Sequence, residues 1–155
     1  MKVRDFLDIT KDMSIKDYDI DEETGYVEVQ YSGNYVGSIH FIFENNGALF
    51  FSTTPKDENP KWYETAHFMD LSEIREECKG YEELPLYFYS KSQGVFSIES
   101  ISKVGYDYSA DGDGTYEACE IKCSDEPAAK SLDRIQKINT EDYEDFFENL
   151  MEKYN

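Results

Sequence analysis

Apolar positions along the chain recur with two periods, and the switch between them predicts where helix gives way to strand. Val3, Phe6 and Leu7 stand at i, i+3 and i+4, the spacing of one helix face, so a short amphipathic helix opens the chain over residues 3–10. Period two then takes over. Residues 14–20 and 26–31 read as strands on either side of a turn at Asp21-Glu22-Glu23-Thr24-Gly25, with Val27, Val29 and Tyr31 sharing a face. Residues 36–43 continue as a strand that aligns Ile39, Phe41 and Phe43. Asn45-Asn46-Gly47 tolerates the positive φ of a tight hairpin, and residues 48–53 return from it. The first half thus predicts a helix followed by an antiparallel meander.

Residues 54–60 hold two prolines and three charges and read as a loop. Residues 60–69 fit helix and irregular structure equally, and Trp62, Tyr63, His67 and Phe68 would form an apolar face there. Asp70, with Glu73 three positions on, has the form of a capping box that starts a helix over 71–79, and Gly80 ends it. Residues 84–89, 95–101 and 104–108 read as strands, and 116–123 pairs back after the turn Ala110-Asp111-Gly112-Asp113-Gly114. Ser124-Asp125-Glu126-Pro127 resembles a helix start with proline in the first turn, which predicts helices over 127–138 and 140–154. In the last of these, Tyr143, Phe146, Phe147, Leu150 and Tyr154 make one apolar stripe, with Glu141, Asp145, Glu148 and Glu152 opposite.

The expected fold class is therefore α+β: antiparallel sheet or sheets, a short N-terminal helix, a central helix and two C-terminal helices. The 155 residues make one domain, with 1–54 and 70–123 as similar helix-plus-meander halves and 127–154 as a helical pair.

Composition changes this picture in two ways. Apolar residues are only 39%, yet 13 Tyr, 10 Phe and 1 Trp supply large rings able to fill a core lean in aliphatics. Acids outnumber bases 34 to 15, for a net charge of −19. Division at Gly80 leaves 17 acids and 8 bases before it and 17 acids and 7 bases after it, so the excess belongs to the whole domain rather than to a tail. Such a charge opposes compaction and points to a basic partner or to a need for solubility. Direct nucleic-acid binding is disfavoured, because no Lys/Arg cluster stands ready to neutralise phosphates. The odd cysteine count and the lack of an apolar run near ~18 residues predict a cytoplasmic protein with reduced thiols, not a membrane protein.

Candidate chemistry is sparse. Cys119, Ile121 and Cys123 share one face of a strand and read as small core residues. Asp111, Asp113, Glu117 and Glu120 fall at acidic positions of a twelve-residue calcium loop begun at Ser109, but the first ligand position lacks its Asp and strands flank it, so a plain turn is the simpler reading. No paired-histidine, nucleophile-elbow or phosphate-cradling motif occurs, so neither a catalytic set nor a cofactor is expected. Interaction residues come from the charge. The candidates are Glu141, Asp145, Glu148 and Glu152 on the last helix, and Asp19, Asp21, Glu22 and Glu23 in the 17–23 run. Trp62 and Tyr63 join them as aromatic anchors. Four carboxylates across 11 positions span about 16.5 Å, about one per 5 Å, too sparse to mimic a duplex with one charge per ~1.7 Å unaided.

Several segments carry a resemblance. Val3-Arg4-Asp5-Phe6-Leu7-Asp8-Ile9, the stretch from Glu73-Ile74-Arg75 through Leu84-Pro85-Leu86-Tyr87-Phe88-Tyr89, Phe96-Ser97-Ile98-Glu99-Ser100-Ile101 and residues 116–123 resemble small uncharacterised proteins of bacteriophages and mobile elements. The acidity is similar to that of phage inhibitors of host defence, including anti-CRISPR and anti-restriction proteins. That resemblance implies a non-enzymatic protein in the cytoplasm of a bacterial host that blocks a basic nucleic-acid enzyme. An immunity protein against a basic toxin nuclease has the same size and charge, and a small metal-binding or enzymatic domain is the alternative from another class.

Overall fold

Val3, Phe6 and Thr10 line the buried side of helix α1 (Val3–Thr10), where the i, i+3, i+7 spacing puts them. The helix start is held from within the chain: the Asp5 carboxylate accepts the Lys2 backbone N–H at 2.8 Å. Helix α3 (Leu71–Cys78) lies against α1, with α2 (Trp62–Thr65) a single turn before it. Arg75 joins the two longer helices, because its Nη1 donates to the Leu7 carbonyl at 2.8 Å and to Thr10 Oγ1 at 2.5 Å. A cation thereby meets the carbonyl end of α1. The computed structural model describes residues 1–18, 20–57, 61–107 and 115–135.

Nine described strands form one sheet: β1 (Lys16–Asp17), β2 (Glu22–Glu23), β3 (Val27–Tyr31), β4 (Tyr35–Gly37), β5 (Phe41–Asn45), β6 (Ala48–Ser52), β7 (Leu86–Ser90), β8 (Gly94–Asp107) and β9 (Thr115–Cys123). The main path runs β2-β1-β9-β8-β7-β6-β5, and β3 joins β9 while carrying β4. β8 is the longest strand at 14 residues. Its start pairs with β7 and its remainder with β9, and the register shifts between Ile98 and Ser100. An extra residue there bends the strand and raises its twist, which curls the sheet into a half-barrel.

This architecture corrects the expected α+β class. Strands dominate, helices are few and short, and the sheet is mixed rather than antiparallel. β3 runs parallel to β9 (Val27 opposite Cys119) and β6 parallel to β7 (Leu49 opposite Leu86). The anticipated strand over 14–20 shrinks to β1, which pairs with β2 and β9 instead of β3. Residues 36–43 break at 38–40, because β4 pairs back on β3 whereas β5 pairs with β6. Gly37 sits at that change of partner, where a Cβ would lie 2.9 Å from Thr53 Cγ2. Residues 95–101 and 104–108 are not two strands, since β8 runs through both. The predicted hairpin holds, with Asn46 at φ 52° and Gly47 at φ 82°.

Of the two predicted C-terminal helices, the first does not start at Pro127. Residues 127–131 are non-helical, because Ala128 N donates to the Val95 carbonyl at 2.7 Å and Val95 N to the Ala129 carbonyl at 2.8 Å. The backbone here is spent on β8, and helical structure begins only at Leu132. The predicted helix over 140–154, with Glu141, Asp145, Glu148 and Glu152, lies outside the described residues.

Two apolar layers result. Leu49, Phe51, Leu86, Phe88 and Phe96 face α1 and α3, where Phe6 meets Phe51 edge-on at 5.0 Å. Ala48, Phe50, Tyr89 and Val95 face the other way, under Ala129, Leu132 and Ile135. β6 is covered on both sides and every residue of it is buried, so its apolar run shows no alternation. Each buried Phe contributes roughly 1.5–3 kcal/mol of transfer free energy.

Gly94 shows how closely the last segment packs. Its φ is +111°, and a Cβ there would stand 2.6 Å from the Ala129 carbonyl oxygen, whereas Gly47 (φ +82°) has nothing within 4 Å. Gly47→Ala should cost about 1–2 kcal/mol for the left-handed backbone alone. Gly94→Ala should cost roughly 1–3 kcal/mol more because of the collision. Urea denaturation of both variants checks this, and equal losses would contradict the packing described.

Candidate functional site

α3 has two faces at helical spacing. Leu71, Ile74 and Cys78 are buried, Ser72, Glu76 and Glu77 are exposed, and Glu73 is half-buried. The predicted capping box fixes where the helix starts. Asp70 Oδ1 accepts the Glu73 N–H at 2.9 Å and the Ser72 hydroxyl at 2.7 Å, and Glu73 Oε1 accepts the Asp70 N–H at 3.2 Å. Burial would raise the Asp70 pKa, but these hydrogen bonds from Glu73 and Ser72 hold it below the ordinary carboxylate value.

β5 runs opposite the outer face of α3. Between them lies a cleft of about 810 Å³, with Phe41, Ile42 and Phe43 along one wall and Glu73, Glu76 and Glu77 along the other. Lys56 is the one lysine among its described lining residues. Glu76 spends part of its charge on Lys79 Nζ at 2.6 Å, an exposed pair that water screens. Glu77 has no ion pair among the described residues.

Histidines close one end. His67 Nε2 lies 2.9 Å from Glu73 Oε2, and His40 Nδ1 lies 3.0 Å from the His67 carbonyl oxygen, so His40 donates from Nδ1. Both rings are tied into the wall of the cleft. Aromatic surface extends from there: His40 packs on Phe68 at 5.0 Å, and Trp62 meets Phe41 edge-on at 5.8 Å. Tyr63 and Phe68 are 64% and 66% exposed. The arrangement suits binding, with apolar rings beside carboxylates in an open trough.

A second cleft of about 370 Å³ adjoins the first through Ser72 and is lined by Glu23, Gly25, Asp70 and Arg75. It exists because Leu71 N donates to the Gly25 carbonyl at 2.7 Å, which seats α3 on the chain just before β3. Glu23 thereby lines this second cleft.

The sequence-predicted residues fall as follows. Tyr63 is exposed and Trp62 half-buried beside the cleft. Asp21, Glu22 and Glu23 are exposed, the last two on edge strand β2. Asp19, Glu141, Asp145, Glu148 and Glu152 lie outside the described residues, as do Asp111 and Asp113 of the calcium candidate. Glu117 and Glu120 do not converge on a common ion. They stand three apart on β9, hence on opposite faces, with Glu117 on Lys103 Nζ at 2.9 Å and Glu120 accepting the Tyr106 hydroxyl at 2.9 Å. Among the described residues no group of three or more His, Cys, Asp or Glu could hold a metal ion. Glu73, Glu76 and Glu77 were missed, although their i, i+3, i+4 spacing opposite Leu71, Ile74 and Cys78 marks them as one helix face.

A second aromatic cluster sits where β3, β8 and β9 meet. Tyr106 stacks on Tyr116 at 5.1 Å, and Tyr26 meets Tyr116 at 6.1 Å. Glu28 and Glu120 are opposite each other in the β3–β9 register and accept the Tyr26 and Tyr106 hydroxyls. Each of these neighbouring like charges thus receives a hydrogen bond from a phenol. Burial, then the nearby Glu28 charge, pushes Tyr26 up to about 12, and burial with the Glu120 hydrogen bond raises Tyr106 above the ordinary phenol value as well.

Comparison with protein-family models, with curated proteins and with solved structures returned no match. No helix among the described residues is long and apolar enough to cross a membrane.

A phenol with a raised folded-state pKa holds its proton more tightly folded than unfolded. Its stabilisation is whole below the unfolded value of about 10 and disappears as pH climbs through about 12. Stability in urea should therefore fall between those pH values, and Tyr26→Phe should flatten the fall; an unchanged slope in that variant would contradict the assignment. Cys78, Cys119 and Cys123 are free and buried, and burial pushes each thiol up to about 12. A disulfide reagent at pH about 8 should label none of them until urea unfolds the chain. Rapid labelling of the folded protein would place a thiol at the surface.

Proposed function

We propose that this chain is an acidic, non-catalytic binding protein whose partner is a basic, nucleic-acid-handling enzyme of a bacterial host, which it inhibits. The observation that carries the reading is the cleft between α3 and β5, where Glu73, Glu76 and Glu77 stand across from the β5 edge with exposed Tyr63 and Phe68 alongside. Carboxylates of this kind steer a cationic surface in, and desolvated rings prolong its stay. A phosphate-binding channel offers the complementary features, namely Arg and Lys arrayed to meet anions. The net charge of −19 argues in the same direction, since it repels nucleic acid and attracts the proteins that bind it.

An inhibitor of this kind blocks by occupancy. It needs no cofactor, only a surface that competes with phosphates for the same cations. In the phage or mobile-element setting that the sequence resembles, the occupied enzyme would be a defence nuclease.

The test is affinity capture from a bacterial lysate on the immobilised chain, followed by assay of whatever is retained. The captured protein should bind nucleic acid, lose activity when the chain is added, and elute as salt rises from about 0.05 to 0.5 M. A variant carrying Tyr63→Ala and Phe68→Ala should release it at least about tenfold faster. Retention of no nucleic-acid-binding protein, or full enzyme activity in the saturated complex, would overturn the proposal.

A further inference from the structure

The sheet ends in edges of unequal exposure. β2 is two residues long and both are glutamate, and β4 is three residues long. The open side of β8 beyond Ser97 carries the register shift near Glu99, then Ser100, Ser102 and Lys103, all exposed. These are the ordinary devices that stop a strand edge from recruiting another chain. β5 has none of them over Phe41-Ile42-Phe43. It is five residues long and pairs with β6 on one side, and no described strand pairs with its other side. That unpaired side opens into the cleft whose far wall is Glu73, Glu76 and Glu77.

Resting on the reading above, we infer that the partner engages this cleft through an extended basic segment that adds to β5 as a further strand. Two features of the edge specify the occupant. Backbone N–H and C=O groups that no described strand pairs select an extended peptide, because only a strand can satisfy them in series. Side-chain alternation then divides its residues between two environments. Ile42 points to the layer containing α3 and Phe43 to the opposite layer. A strand about 4.8 Å beyond β5 would present alternate residues to the glutamates of α3 and to the rings of Phe41 and Phe43. The matching segment alternates Lys or Arg with apolar residues. A second copy of this chain fits poorly, since its own β5 brings Glu44 and no cation to an acidic cleft.

Synthetic peptides about nine residues long, alternating lysine and valine, test the inference against the full chain by calorimetry and Trp62 fluorescence. The unmodified peptide should bind. The same peptide with alternate backbone amides N-methylated keeps every charge and side chain but cannot pair as a strand, and should bind at least about tenfold more weakly. A Glu73→Gln, Glu76→Gln, Glu77→Gln variant retains the capping box, since Gln serves there as well, and should bind the unmodified peptide about five- to tenfold more weakly. Equal binding of the two peptides would overturn strand addition while leaving acidic capture of a basic partner intact. Absence of binding by either peptide, or a dimer of the chain with β5 amides already protected, would overturn it too. Failure of the lysate capture would instead strike the underlying functional reading.

Discussion

Strand β8 is the element on which both ends of the sheet depend. Its first residues hold β7, and through β7 the hydrophobic run of β6 and the edge β5. Its remainder holds β9, and through β9 the strands β1 and β3. The register shift near Glu99 lets one strand serve both, because it bends the backbone between the two pairings. The same strand anchors the chain after β9, through the Val95–Ala129 bridge. A flat β8 would leave α1 and α3 without the concave layer they fill.

The curl also decides what stands at its margin. Phe51, Phe88 and Phe96 occupy the inside of the curl under α1 and α3, which fixes α3 with Leu71, Ile74 and Cys78 inward. Its glutamates must then face outward, across from the β5 edge. Neither wall alone would specify a partner. A solvated glutamate row is common, and an open strand edge is an aggregation hazard. In the proposed mode of binding the two act together: the charge repels further copies of an acidic chain, and the edge takes an extended cationic segment.

Local features were legible in the sequence wherever one residue's chemistry settles the conformation. Asp70, Glu73 and Gly80 bound α3 because caps act over three or four residues. Asn46 and Gly47 mark the β5–β6 hairpin for the same reason. Partnership between strands was not legible. Val27 and Val29 announce a half-buried strand, but period two does not say that β9, far along the chain, lies beside it in parallel. The alternation through Ile39 hides the change of partner at 38–40, and the Pro127 helix signal lost to backbone bonds with Val95. The site was half visible. Trp62 and Tyr63 stood out as anchors and the Glu73 face has helical spacing, yet their meeting across β5 is a tertiary fact.

Docking of a partner in the α3–β5 cleft is open to direct measurement. Amide hydrogen exchange, compared between the free chain and the chain saturated with a partner captured from lysate as proposed above, addresses that directly. Protection should rise over residues 41–45 and 62–77 and stay unchanged in the tyrosine cluster of β3, β8 and β9. Protection confined to that cluster, or none in β5, would contradict it.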